Sequence, residues 1–248
     1  MKRSTLDEEK LTSAFADGYW RVKTFSEVES TQDVIRLSAP KHGDVVTADF
    51  QSKGRGRLDR SFESLPEVGL LFSLFVEPKV EREKWGLLPL LVGMTVAQTL
   101  NGDSGLLTFR TKWPNDVLAT GGKIAGVLCE SFADGVIVGI GINVNTSREK
   151  LPVPTASSIA LELGSEQNRS DILIGILRNF ENTLSAWNSG HDFIPDYKVV
   201  SATLGQLVRV TLPDGNDLIS EAVGIGSDGA LELASGKRVT VGDVVHLR

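Results

Sequence analysis

The sequence predicts an α+β protein: a mixed, largely antiparallel sheet with flanking helices over 1–198, then a small β-barrel over 199–248. Three observations carry this. The middle of the chain joins apolar runs through tight glycine-containing turns, which makes neighbouring strands antiparallel. Residues Leu173, Leu177, Phe180, Leu184 and Trp187 recur at helical spacing and form a core-facing stripe. From about Val199, short strands follow in quick succession, punctuated by Asp214-Gly215, Asp228-Gly229 and Ser235-Gly236.

The elements follow in order. Trp20–Val28 reads as a first strand, and Ser30-Thr31-Gln32-Asp33 as a capping box opening a helix through Val34, Ile35 and Leu37. Val45–Phe50 is a second strand, and Leu70–Val76 a buried one. Pro89 suits the first position of a helix through Leu91, Met94, Ala97 and Leu100. Asp116–Ala119 and Lys123–Glu130 pair across Thr120-Gly121-Gly122, and Asp134-Gly135 turns the chain into Val136–Asn145. These hairpins argue against a wound βαβ fold. Ser170 is placed to cap the late helix, with Gly190 just beyond its end. The C-terminal strands are Leu207–Leu212, Leu218–Val223, Ala230–Leu233, Arg238–Val241 and Val244–Leu247.

Composition sets the class. With 41% hydrophobic and 23% charged residues, the chain can bury a substantial core. Its first residues carry no apolar leader, and no run is long enough to cross a bilayer. Its single cysteine, Cys129, excludes an intramolecular disulfide and suits a reducing, cytoplasmic compartment. A net charge of −6 argues against a nucleic-acid binder, which needs a basic face.

Against that acidic background, QSKGRGRLDR at 51–60 sets Lys53, Arg55, Arg57 and Arg60 against one carboxylate, Asp59. Such a loop is either a solvated surface turn or a mobile cradle for an anion. Only its first two glycines match a dinucleotide fingerprint, and no βαβ unit is expected around them. Lys112, Asp116 and Lys123 form a second polar group, either a hairpin ion-pair cluster or a site for phosphate and a divalent cation. Regular strand alternation points Lys123 and Gly126 to opposite faces, so a shared ligand requires a bulge or a backbone role for Gly126. In VIVGIGINVN, Val138, Ile140, Ile142 and Val144 share a core face, while Gly139 and Gly141 leave the other face bare. Either a helix or a flat ligand can lie there. His42, His191 and His246 show no metal spacing, and Cys129 sits in an apolar run that suits packing.

Taken in order, STQ at 30–32, QSKGRGR at 51–57, KWPND at 112–116, KIAG at 123–126 and GIGINVN at 139–145 resemble the motifs of the biotin protein ligases over about residues 20–150. The resemblance implies a class II synthetase-like catalytic domain and a Src-homology-3-like C-terminal barrel. It implies ATP, biotin and Mg²⁺, a biotinyl-5′-adenylate, and transfer to a lysine of a biotin carboxyl carrier domain by a monomer or homodimer. Carried over by position, Lys123, Arg57 and Lys112 are catalytic. Ser30, Thr31, Gln32, Gln51, Gly54, Arg55 and Gly126 meet biotin. Arg57, Arg60, Phe62, Lys112, Asn115 and Asn143 meet the nucleotide, with Asp116 at Mg²⁺.

Three positions depart from the family pattern: Gln32 for the usual Asn, Leu58-Asp59 for a basic residue and Gly, and Phe62 for a common Trp. The stretch before Trp20 is too short for the DNA-binding domain of some relatives, so no DNA binding is expected. The competing readings are a lipoate or octanoate ligase of the same fold, a non-catalytic biotin sensor, and a nucleic-acid module built on GRGR.

Overall fold

A computed structural model describes residues 5–16, 18–57, 61–102 and 105–247. Seven strands form the main sheet: β1 (Arg21–Val28), β2 (Asp44–Gln51), β3 (Gly69–Val76), β4 (Arg110–Lys112), β5 (Asp116–Ala119), β6 (Gly122–Phe132) and β7 (Gly135–Asn143). Their spatial order is β1-β2-β3-β7-β6-β5-β4. All pairs are antiparallel except β1 and β2, which run parallel from Arg21↔Asp44 to Val28↔Gln51. The helix α2 (Thr31–Leu37) lies in the crossover between them, so one βαβ unit does occur, ahead of the Gly/Arg loop. The middle of the chain is antiparallel as its hairpins predict, whereas the parallel pair of β1 and β2 carries no turn signal in the sequence.

β3 is buried along its whole length, since both faces of the sheet are covered. Ile35 of α2 packs with Val46, Phe75 and Ile137 on one face. On the other, Phe72, Leu74, Val138 and Ile140 join the main core with two long helices, α3 (Leu88–Asn101) and α5 (Arg169–Asn188). The stripe Leu173, Leu177, Phe180, Leu184 and Trp187 is buried there, and Gly190 follows the helix with φ +92°. Asn168, not Ser170, caps α5: its side chain accepts from the Asp171 N–H. Ser170 lies inside the first turn and accepts from the Asp7 N–H at 2.9 Å. That contact holds α1 (Glu8–Ala14), a helix the strand-centred reading of the N-terminus missed. Two shorter helices complete the layer, α4 (Ile159–Leu163) and α6 (Ile194–Val200).

The C-terminal strands β8 (Leu207–Thr211), β9 (Asp217–Ile225), β10 (Leu231–Leu233), β11 (Arg238–Val239) and β12 (Asp243–His246) form a five-stranded antiparallel sheet. It is docked on the first sheet at buried Trp113, whose indole N–H donates to Gly229 O at 3.0 Å and whose backbone N–H donates to Thr203 Oγ1 at 3.1 Å. Among the described residues, no helix is long and apolar enough to cross a membrane.

Candidate active site

A cavity of about 400 Å³ lies over the middle of β3, β6 and β7 and the end of β2, beneath the Gly/Arg loop and beside β12. At one end its groups are neutral and hydrogen-bonding. The expected capping box is not formed, because the Ser30 hydroxyl makes no cap and lines the cavity instead. Gln51 takes over: its Oε1 accepts from the Thr31 N–H at 2.6 Å and from Thr31 Oγ1 at 2.8 Å. With Oε1 so engaged, the Gln51 amide presents its NH₂ elsewhere. The Thr31 hydroxyl also meets Ser73 Oγ at 2.8 Å, adding a residue that sequence reading missed. Ser73 sits in an apolar run, and its polarity was the available signal.

The bare face of β7 has two occupants. A Cβ at Gly139 would lie 2.3 Å from Gln32 Oε1, and one at Gly141 would lie 2.6 Å from the Phe62 ring. The glycines thus admit both a helix residue and an aromatic from the loop. Phe62 covers the sheet beside the cavity, where its aromatic character was expected to matter.

The opposite end is charged. Lys112 ends β4, the Trp113–Pro114 peptide is cis, and Asn115 and Asp116 lead into β5. Pairing of β5 with β6 slips by one residue: Val117 faces Ala125 but Leu118 faces Lys123, leaving Ile124 as the extra residue of a bulge. This resolves the alternation problem. Lys123 and Gly126 come to the same side, with Lys123 Nζ 3.3 Å from where a Gly126 Cβ would stand. Lys123 Nζ pairs with Asp116 Oδ1 at 2.6 Å. Burial lowers the Lys112 pKa below the usual lysine value; Asp116 opposes the shift and Lys123 adds to it.

The loop closes over the cavity as a narrow ribbon. Arg55 bridges to Ser61, and the Phe62 N–H donates to Gly54 O at 2.9 Å. Gly54 does not line the cavity; a Cβ there would lie 2.2 Å from Phe62 O, so its contribution is close backbone approach within the loop. Arg55 lines the cavity, but its guanidinium pairs with Asp33 at 3.0 Å and Glu130 at 2.9 Å. Arg57 Nη1 donates to Asn115 Oδ1 at 3.1 Å, while Asn115 Nδ2 donates to Val127 O at 2.7 Å. Arg60 and the departures Leu58 and Asp59 lie outside the described residues.

Ser30, Thr31, Gln32, Gln51, Arg55, Arg57, Phe62, Lys112, Asn115, Asp116, Lys123 and Gly126 therefore share one cavity. Asn143 does not reach it; its Nδ2 donates to Ser157 O at 3.1 Å and holds the segment after β7. Sequence reading also missed Asp243, Val244 and Val245, which supply a wall from β12. Nothing local in that strand marks it as part of a site. Among the described residues, no group of three or more His, Cys, Asp or Glu side chains is placed to hold a metal ion. Burial raises the Cys129 thiol pKa, which disfavours the reactive thiolate.

A neutral polar end and a cationic end within one cavity suit a small acid with a hydrogen-bonding head, met by a phosphorylated co-substrate. Comparison with known proteins agrees. Residues 24–147 match the biotin/lipoate A/B protein ligase family. The chain is 34% identical to the biotin–[acetyl-CoA-carboxylase] ligase of Mycobacterium tuberculosis, over 99% of this chain and 97% of that one. It is 31% identical to the bifunctional ligase/repressor BirA of Bacillus spizizenii, over 84% of this chain and 66% of that protein. The biotin protein ligase of Aquifex aeolicus, solved in complex with biotin and ATP, superposes with a TM-score of 0.79 at 30% identity, over 92% of this chain and 99% of that one. The fold and the site define a biotin ligase-like protein. The chain belongs to the biotin/lipoate A/B protein ligase family.

Proposed function

We propose that this protein is an ATP-dependent biotin–protein ligase that forms biotinyl-5′-adenylate and transfers the biotinyl group to a lysine of a carboxylase carrier domain. The observation that carries this reading is the complementary pair of ends in one cavity. Biotin's ureido ring needs donors for its carbonyl and acceptors for its N–H groups. The Ser30 hydroxyl and Gln51 NH₂ supply the first, and Gln32 Oε1 the second. Its carboxylate then extends toward Lys123 and Arg57.

In the first step a carboxylate oxygen attacks the α-phosphorus of ATP, the bond to the β-phosphate oxygen breaks, and pyrophosphate leaves. Two anions must be brought together, so preorganised cations carry most of the catalysis. Lys123 and Arg57 stabilise charge at the reacting phosphoryl group, with Lys112 and Asn115 on the nucleotide side and Phe62 covering it. In the second step a neutral lysine amine attacks the acyl carbon; the C–N bond forms, the C–O bond to AMP breaks, and the amine loses a proton. Closure of the loop excludes water from the anhydride in the interval. The donor chemistry suits Mg²⁺ only as a nucleotide-bound ion, because such ions are held by one or two carboxylates together with substrate phosphates. Asp116 would hold it there, and the ion would neutralise phosphate charge.

The deciding experiment is exchange of labelled pyrophosphate into ATP with biotin, lipoate or octanoate. Biotin alone is expected to support exchange. Exchange with lipoate or octanoate instead would overturn the substrate assignment, and no exchange with any acid would favour a biotin sensor.

The lowered Lys112 pKa gives a pH prediction. As pH rises, Lys112 loses its charge before an ordinary lysine near 10.5 would. The alkaline limb of biotin-dependent exchange is therefore expected below that value. Lys112→Arg, which stays charged, should carry the limb upward. An unmoved limb would remove Lys112 from the charged end of the site.

A further inference from the structure

The geometry points to Glu130 as a positioning residue that fixes the polarity of the neutral end and anchors the Gly/Arg loop to it. This rests on the reading that the neutral end takes biotin's ureido ring. Glu130 lies on β6, and both its carboxylate oxygens are engaged. Oε2 accepts from Gln32 Nε2 at 2.8 Å and Arg36 Nη2 at 2.7 Å; Oε1 accepts from Arg55 Nη2 at 2.9 Å. An ionised carboxylate only accepts, so it can meet the Gln32 amide only through its NH₂. The Gln32 oxygen is thereby turned onto the bare backbone of Gly139, where it meets no donor among the described residues. The cavity therefore offers a fixed acceptor at this point, the group a ligand N–H requires.

The same carboxylate holds Arg55, whose other arm pairs with Asp33 on α2. One side chain thus ties together the head-group contact, the helix that carries it and the loop that closes over it. Gln32 is one methylene longer than asparagine, and that extra reach lets its amide bridge from α2 to Glu130. A neutral Gln at 130 could meet either end of the Gln32 amide, so the orientation would no longer be fixed.

The test compares biotin Kd, by calorimetry, in wild type, Glu130→Gln, Gln32→Ala and the double variant, with thermal melting as a check on folding. Glu130→Gln is expected to weaken biotin about tenfold, the usual effect of losing a charge-assisted hydrogen bond. In the Gln32→Ala background the same change should cost much less, leaving only the part that acts through Arg55 and the loop. Deuterium exchange at residues 51–57 should rise in Glu130→Gln and in Arg55→Gln, which removes only the exposed arm. Unchanged affinity in folded Glu130→Gln, or penalties that simply add, would overturn the positioning role. If Glu130→Gln fails to fold, unchanged loop exchange in Arg55→Gln would overturn the anchoring. Failure of the wild type to bind biotin would overturn the ligand reading itself and leave the loop measurement to judge the anchor.

Discussion

Replacing Lys123 with alanine is expected to lower biotin-dependent pyrophosphate exchange by roughly 10²–10³-fold, the cost of removing one preorganised stabiliser of developing charge. Lys123 is suited to that task by position rather than by type. Its ammonium stands beside Gly126, where no side chain intervenes, and Asp116 holds it at 2.6 Å. The substitution also leaves the Asp116 carboxylate without its partner, which would add repulsion toward a bound phosphate to the lost attraction. Biotin affinity should change far less than turnover, because the neutral end of the cavity is untouched. A fall of less than tenfold in exchange, measured at saturating biotin and ATP, would move the main catalytic role elsewhere.

The largest expected effect on stability comes from Arg169. It is almost wholly buried, pairs with the largely buried Asp49 at 2.7 Å, and donates to Gly69 O at 3.0 Å. Asp49 accepts in turn from the Leu6 N–H at 3.1 Å. This cluster ties the start of α5, the end of β2, the start of β3 and the chain leading into α1. Arg169→Met would strand a buried carboxylate, and breaking one side of such a pair costs about 3–5 kcal/mol. For a chain of this size the melting temperature should fall by on the order of 10 °C. Adding Asp49→Asn to the variant should recover part of the loss, since no charge is then left unpaired. Denaturant unfolding would measure both; a loss below about 1 kcal/mol would mean that water or another group satisfies Asp49.

Much of this protein was legible from local pattern. Hairpins around glycine pairs, the alternating core face of β7 and the stripe of α5 depend only on neighbours in sequence, and they appear where the pattern put them. What was not legible depends on partners far along the chain. Ser30 has the right type and position to cap α2, yet Gln51, 20 residues beyond Thr31, supplies the acceptor. The parallel pairing of β1 and β2 has no turn to announce it. Glu130 is only the last residue of the run Lys123–Glu130 in the sequence, and the fold alone brings Gln32, Arg36 and Arg55 to it. Asp243 enters the site from the second sheet, whose strands read only as a small barrel. Arginines counted as free positive charge also turned out to be engaged. Arg55 is spent on acidic neighbours, so the loop is less cationic toward the cavity than its composition suggests.

The extra residue in β6 has a consequence of another kind. With regular pairing, Lys123 would face away from Gly126 whatever residues surrounded it. Its direction is set by chain length between two hydrogen-bonded partners, through Ile124, which is itself fully buried and touches no part of the cavity. An insertion or deletion there would redirect the ammonium and alter the spacing inside KIAG itself. The single residue between Lys123 and Ala125 is thus as much a part of the chemistry as the lysine, although its side chain never meets a ligand.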